Sequence, residues 1–225
     1  MKFDFHCHTS FSFDGLSSPE EIVEAAIKKG IDCLAITDHN EIEGAKRALK
    51  YAKGKPILII PSIEIKTKEG EILALNVREK IPPYLSAKET IKIIKEKGGF
   101  VILPHPFSFP QNFKGNLKEI INEIDAIEIL NASAFFGNKR AENFAKAHNL
   151  PFVAGSDAHC ANFVGKAFFE IEGKDLSIEE IFKKIKNKEV KVREEKLSNF
   201  EKIANHLKRN IAKVINYVRR KKRKI

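Results

Sequence analysis

The chain opens on a block in which apolar and polar positions alternate, Lys2-Phe3-Asp4-Phe5-His6-Cys7-His8. Such alternation sets residues i and i+2 on one face of a β-strand, so His6 and His8 can share a centre. After Asp14-Gly15 the period changes. Ser18-Pro19-Glu20-Glu21 offers a capping serine, a proline at the first helical position and a glutamate three residues after the cap. Ile22, Ala25, Ala26 and Lys29 follow at helical spacing up to Gly30. Residues 32–37 form an apolar run too short for a helix, ending at Asp38-His39. The alternation continues: a helix over 41–52, a buried strand over 56–60 leading into Ser62-Ile63-Glu64-Ile65, a strand over 71–75, and a helix opened by Ser86-Ala87-Lys88-Glu89 and closed by Gly98-Gly99. A strand over 100–103 runs into Pro104-His105-Pro106, and a helix is expected near 117–123. Another strand over 126–130 ends at Asn131, a helix covers 139–148, and a strand over 152–154 ends in Gly155-Ser156-Asp157-Ala158-His159. No element is assigned between residues 160 and 197.

Strands alternating with helices predict a mostly parallel sheet covered by helices, and about seven such units predict a closed or nearly closed α/β barrel. A different pattern follows. Ser198 and Glu201 repeat the capping signal, and Phe200, Ile203, Ala204, Leu207, Ile211, Val214, Ile215 and Val218 recur at helical spacing. This predicts one long amphipathic helix ending in Arg219-Arg220-Lys221-Lys222-Arg223-Lys224. The expected organisation is a barrel over residues 1–196 and a basic helix over 197–225.

Composition locates the charge. Net charge is +10 over 225 residues. From Lys174 onward there are 18 basic and 7 acidic residues, against 22 and 23 before it, so the excess belongs to the tail and the barrel is near neutral. No apolar run reaches the ~20 residues of a membrane span. No charged-then-apolar leader opens the chain, and three cysteines make no paired framework, which together predict a cytoplasmic protein. They show no C-x-x-C spacing, so a structural zinc ribbon is not expected.

Candidate chemistry lies at strand ends, where the loops of a parallel barrel converge. His6, His8, His39, Glu64, Glu71, His105, Asp157 and His159 all fall there. Each alone has an ordinary alternative: His105 between two prolines could brace a turn, and Asp38 could cap a helix. Glu64 closes an apolar strand, where a buried carboxylate needs a cation or a hydrogen-bonding partner. Taken together they read as a metal site. His148 and His206 lie in expected helices and read as surface residues. Cys7, between its two histidines, faces the opposite side and reads as core.

At these residues the chain resembles the PHP (polymerase and histidinol phosphatase) family of metal-dependent phosphoesterases. The matching motifs are His6-Cys7-His8-Thr9 with Asp14-Gly15, Ile36-Thr37-Asp38-His39-Asn40, Ile63-Glu64-Ile65, Leu103-Pro104-His105-Pro106 and Gly155-Ser156-Asp157-Ala158-His159. They span residues 2–172. The resemblance implies a distorted (β/α)7 barrel, with the C-terminal helix as an addition, and two or three divalent ions, variously manganese, zinc or iron, with magnesium also admitted. By motif position, His6, His8, Glu64 and Asp157 would hold one ion. Glu64 would bridge to a second that also takes His105, and Asp14, His39 and His159 would surround a third. His39 or His159 would protonate the leaving group, and Asp38 would orient a ligand histidine through its other ring nitrogen. One position departs from the family: Glu71 stands where a histidine is usual. As a harder, anionic ligand it would favour manganese, iron or magnesium over zinc; the alternative is that it faces solvent and leaves the second site weak or empty.

The function so implied is hydrolysis of a phosphomonoester or a nucleotide or oligonucleotide phosphoester, through a water activated by clustered ions. Specificity is expected in the loops over 107–114 and 132–139. The alternative is a non-catalytic barrel that binds nucleic acid through its basic tail. A metal-dependent amidohydrolase is disfavoured, since no lysine occupies a matching strand end. For the tail, docking on its own barrel, pairing with a second copy and attachment to nucleic acid or an anionic membrane all remain open.

Overall fold

The computed structural model describes residues 1–195 and 198–222. The 196/197 boundary and the side chains of the terminal basic cluster lie outside the described residues. Seven strands, β1 (Lys2–Cys7), β2 (Cys33–Ile36), β3 (Leu58–Lys66), β4 (Glu71–Leu75), β5 (Phe100–Leu103), β6 (Ala126–Asn131) and β7 (Phe152–Gly155), curl into a nearly closed barrel. β8 (Ala167–Glu170) and β9 (Lys191–Glu194) extend the sheet beyond β1, giving the order β7-β6-β5-β4-β3-β2-β1-β8-β9. The amide of His8 donates to Ala158 O at 2.8 Å and draws the two ends of the barrel together.

The sheet is mixed rather than mostly parallel. β3 and β4 form an antiparallel hairpin, and β4 also runs antiparallel to β5. Residues 67–70 are too few for a crossover helix, which a parallel partner would require. Instead Thr67 donates its amide to Gly70 O at 2.7 Å and closes a tight turn. The reversal has a consequence for chemistry: Glu71 opens β4 directly opposite Lys66, so it lies at the same end as Glu64.

The helices are α1 (Pro19–Lys28), α2 (Glu43–Tyr51), α3 (Ala87–Glu96), α4 (Asn138–Ala147), α5 (Ile178–Lys186) and α6 (Asn199–Lys222). β8, α5 and β9 fill the stretch left unassigned above. α5 carried the same signal as α1, since Ser177 and Glu180 form a capping box like that of Ser18 and Glu21. The helix expected near 117–123 is a single 3-10 turn, Leu117–Glu119. The β-branched Ile120, Ile121 and Ile124 give little intrinsic support for a longer helix there.

Alternate strand residues feed two apolar layers. Phe3, Phe5, Ala35, Ile60, Leu75 and Phe169 fill the barrel interior, where Phe3 stacks on Phe169 at 5.0 Å and Phe5 meets the same ring edge-on at 4.9 Å. Cys7, Leu34, Ile36, Ile63 and Ile65 face outward under the helices. Between Asp4 and Cys7 the pairing with β2 slips by one residue. Such a bulge resets the side-chain phase, so His6 and His8 follow Phe3 and Phe5 into the interior although one set is odd-numbered and the other even.

α6 packs across the mouth of the barrel, and it does so with its polar face. Asn205, Arg209, Ala212 and Asn216 are buried, whereas Phe200, Ile203, Leu207, Ile211, Val214 and Val218 are 47–77% exposed. His206 joins the docked face: its Nε2 lies 3.1 Å from Ser133 O and its ring stacks on Phe135, so it is not an ordinary surface residue. The apolar stripe that suggested docking points the opposite way. No described helix is long and apolar enough to cross a membrane.

Candidate metal centre

The strand ends deliver nine side chains to one buried cluster: His6, His8, Asp14, His39, Glu64, Glu71, His105, Asp157 and His159. Glu64 is its hub. One carboxylate oxygen, Oε1, lies 3.4 Å from His6 Nε2 and 3.3 Å from His105 Nε2. The other, Oε2, lies 3.3 Å from His8 Nε2 and 3.1 Å from His39 Nδ1. Asp157 Oδ1 stands 3.6 Å from His6 Nε2 and 3.3 Å from His8 Nε2. On the far side, Asp14 Oδ2 is 3.3 Å from His159 Nε2 and 3.6 Å from His39 Nε2. Glu71 turns inward, 3.9 Å from His39 Nδ1 and 3.8 Å from His105 Nε2, and not toward solvent. Its Oε1 also meets Lys66 Nζ at 3.4 Å.

These residues fit divalent cations on one decisive observation. His6 Nε2, His8 Nε2, His39 Nε2, His159 Nε2 and both Glu64 oxygens are buried without a hydrogen-bond partner among the described residues. Buried polar groups are otherwise almost always paired, and each orphan costs about 1–3 kcal/mol, so six converging on one space call for a shared positive partner. Four overlapping groupings follow: His6, Glu64 and His105; His6, His8 and Asp157; His39, Glu64 and Glu71; and His8, Asp14, His39 and His159.

Backbone strain and close approach hold the ligand ends. His105 and Asp157 both adopt φ of 50°, a left-handed conformation that costs a non-glycine residue about 1–3 kcal/mol and persists where surrounding contacts enforce it. Gly155 lets β7 pass close to β1, for a Cβ there would sit 2.5 Å from His6 Cβ and 2.6 Å from Glu128 Oε1.

Electrostatics divide the histidines. Burial opposes charge on His6, but Glu128, Glu64 and Asp157 outweigh it and raise its pKa well above the ordinary value. Burial likewise opposes charge on His39, yet Glu64 and Asp14 lift it to about 9. His8 is pushed down to about 3, first by burial and then by the neighbouring His159 and His39, which keeps its ring neutral with a lone pair to offer. Against burial, His39 and His6 hold Glu64 well below the usual carboxylate range.

Several contributors were not anticipated. Glu128 on β6 accepts from His6 Nδ1 at 3.1 Å, which fixes the tautomer and points Nε2 inward. Its sequence signal was a lone charge inside the apolar run 126–130. His159 Nδ1 is held by Asp157 O at 2.9 Å, with the same effect on its Nε2. Asp38 does not orient a histidine. Its oxygens take the Thr9 amide at 2.6 Å and the Thr9 hydroxyl at 2.7 Å, securing the loop after β1, while burial raises it to about 7. Arg209 reaches Asp14 Oδ2 from α6 at 2.7 Å, a role that nothing in its sequence context distinguishes from the other basic residues of the tail.

Access differs from the expected loops. A cleft of about 690 Å³ opens beside His39 and Glu71, lined by Phe11, Phe13, Asn40, Arg47, Lys66 and Tyr84. The loops over 107–114 and 132–139 together border a pocket of about 20 Å³ under α6, which includes Ser108, Phe109, Gln111, Ala134 and Phe135, and residues 110–114 border another of about 80 Å³ beside Lys66 and Lys68.

A family model described as the PHP domain matches residues 4–193. The chain belongs to the PHP family. Among its relatives, the uncharacterized protein MJ1587 of Methanocaldococcus jannaschii is 39% identical over 142 residues, 59% of this chain and 82% of that protein. A 5'-3' exoribonuclease of Haemophilus influenzae is 37% identical over 100 residues, covering 43% of this chain and 36% of its own length. The fold matches a two-domain Bacteroides vulgatus protein containing a predicted PHP-like metal-dependent phosphoesterase, with a TM-score of 0.72 and 21% identity over 86% of this chain and 64% of that one. The chain brings the motifs of the PHP family together at the barrel mouth.

Proposed function

We propose that this protein hydrolyses a phosphomonoester, or the terminal phosphoester of a nucleotide or oligonucleotide. The observation that carries the reading is the set of six unpartnered buried atoms of His6, His8, His39, Glu64 and His159, with His39 at the edge of a cleft that bears Arg47, Lys66 and the exposed Tyr84. His6, His8, Glu64 and Asp157 would hold one ion; His105, Glu64 and Glu71 a second; Asp14, His39 and His159 a third. Bound divalent ions lower the pKa of a coordinated water and neutralise phosphoryl oxygens. Glu64 fixes the spacing of the ligand groups, since its two oxygens face different histidines. His39 or His159 is the proposed proton donor to the leaving oxygen, and Asp38 supports them by holding the Thr9 loop. The Glu71 carboxylate favours manganese, iron or magnesium over zinc at its ion. Phe13, stacked on His39 at 5.0 Å, and Tyr84 offer planar surface to a base, which favours a nucleotide-like substrate.

We further propose that residues 1–196 and 197–225 act as one unit. Nucleic acid would be attracted by the basic end of α6, and a second copy by its outward apolar stripe. A cytoplasmic setting is supported by three free, buried cysteines.

The test is elemental analysis joined to a manganese-supplemented hydrolysis screen over monoesters, nucleotides and short oligonucleotides, with His8→Ala and Asp157→Ala as controls. At least two ions per chain and turnover lost in both variants are expected. Fewer than one ion with no turnover overturns the reading, and nucleic-acid binding unchanged in both variants would favour the non-catalytic alternative.

A further inference from the structure

Arg209 is the one arginine that the described part of α6 sends inward. It is 8% exposed, and its Nε donates to Asp14 Oδ2 at 2.7 Å. That same oxygen faces His159 Nε2 and His39 Nε2, while Ser12 Oγ donates to Oδ1 at 3.0 Å. Beyond Asp14, Arg209 lines the small pocket under α6 together with His105, Asn131 and Asp157, so it stands beside ligand groups of the cluster. The contact to Asp14 is made through Nε.

Pinning the helix does not explain this arrangement. Asn216 Nδ2 already reaches Gly15 O at 2.8 Å and Ser12 O at 3.1 Å, Asn205 Nδ2 donates to Ser133 Oγ at 2.9 Å, and Lys202 Nζ reaches Ala134 O at 3.1 Å. A buried guanidinium adds a desolvation cost to a helix already held by these other contacts, and it adds positive charge to a centre built to gather cations. An incoming anion resolves both. The guanidinium fork matches a phosphoryl group, which it can engage with two parallel N–H donors.

Resting on the phosphoesterase reading above, we propose that Arg209 is a binding residue for the substrate's phosphoryl group: Nε fixes the side chain on Asp14, and the terminal nitrogens take the phosphoryl oxygens. The C-terminal helix is then a working wall of the active site.

The experiment uses the full chain loaded with manganese, inorganic phosphate as the probe in a calorimetric titration, and steady-state kinetics on whichever ester the wild type hydrolyses. Arg209→Met and Arg209→Lys are compared with Asn216→Ala, which loosens the helix but leaves the guanidinium. Metal content and thermal midpoint are measured for each. For Arg209→Met the expected result is phosphate affinity and kcat/KM lowered by about 10- to 100-fold, the range set by a lost charge-assisted contact, with metal content unchanged. Arg209→Lys should recover only part, because an ammonium lacks the fork. Phosphate affinity equal to wild type in Arg209→Met overturns the proposal, as does a loss that runs in parallel with loss of metal, which would make Arg209 a support for Asp14 alone. Should Arg209→Met not fold, Arg209→Lys with wild-type phosphate affinity and wild-type KM overturns it as well. A fully metallated wild type that neither binds phosphate nor turns over any ester refutes the phosphoesterase reading itself and this inference with it.

Discussion

At the scale of residues, several candidate ligands have a second contact that aims them. His6 is the clearest case, held from behind by Glu128 while its Nε2 faces Glu64 and Asp157. Glu128→Gln keeps the shape but weakens that hold, and manganese affinity should fall about 10- to 100-fold in a metal titration while circular dichroism is unchanged. Glu71→His should shift the preference from manganese toward zinc, read as the ratio of the two ions retained after dialysis against both. Gly155→Ala would drive a methyl into His6 and Glu128 together. It should cost about 1–3 kcal/mol in denaturant unfolding, the usual cost of overpacking, and reduce metal retention as well. The histidines were legible in the sequence because histidine is rare here, with seven in the chain, and five of them end strands. Arg209 was not legible. It is one of 40 Lys and Arg residues, and only the docking of α6 separates it from the rest.

At the scale of elements, alternation of strand and helix was readable wherever hydrophobic runs met strong caps, as at Ser18 and Ser86. Strand direction was less so. The β3–β4 reversal depends on a four-residue turn whose length, not its pattern, forbids a parallel crossover. The bulge in β1 was invisible too, since it arises from pairing with β2 rather than from β1 itself. The face that α6 presents was the largest departure. An apolar stripe identifies the buried side only when burial of apolar area decides docking, and here Asn205, Arg209 and Asn216 satisfy a hydroxyl, a carboxylate and carbonyls at the barrel mouth instead. Asn216→Ala removes donors from the Ser12 and Gly15 carbonyls, and should expose the residue 10–16 loop to limited proteolysis several-fold faster than in the wild type, with the barrel core still resistant.

At the scale of the whole molecule, folding and metal loading are coupled. The apo protein must keep carboxylates and unpartnered ring nitrogens in a confined space, and ions that bind only the folded state stabilise it by mass action. At free metal about 100 times the dissociation constant the gain is about 2.7 kcal/mol per ion. Chelation should therefore lower the thermal midpoint by several degrees, and manganese should restore it, as followed by scanning calorimetry.

α6 has a thermodynamic signature of its own. Heat capacity changes track apolar surface, and this helix hides little of it against the barrel while leaving Phe200, Ile203, Leu207 and Val214 outside in either state. Its release should then be a separate event of small heat-capacity change and shallow denaturant dependence, ahead of a barrel transition that has both in full. The same stripe gives the molecule a permanently sticky ridge, so its light-scattering second virial coefficient should grow more negative on warming, as hydrophobic contact strengthens, and recover in Leu207→Lys.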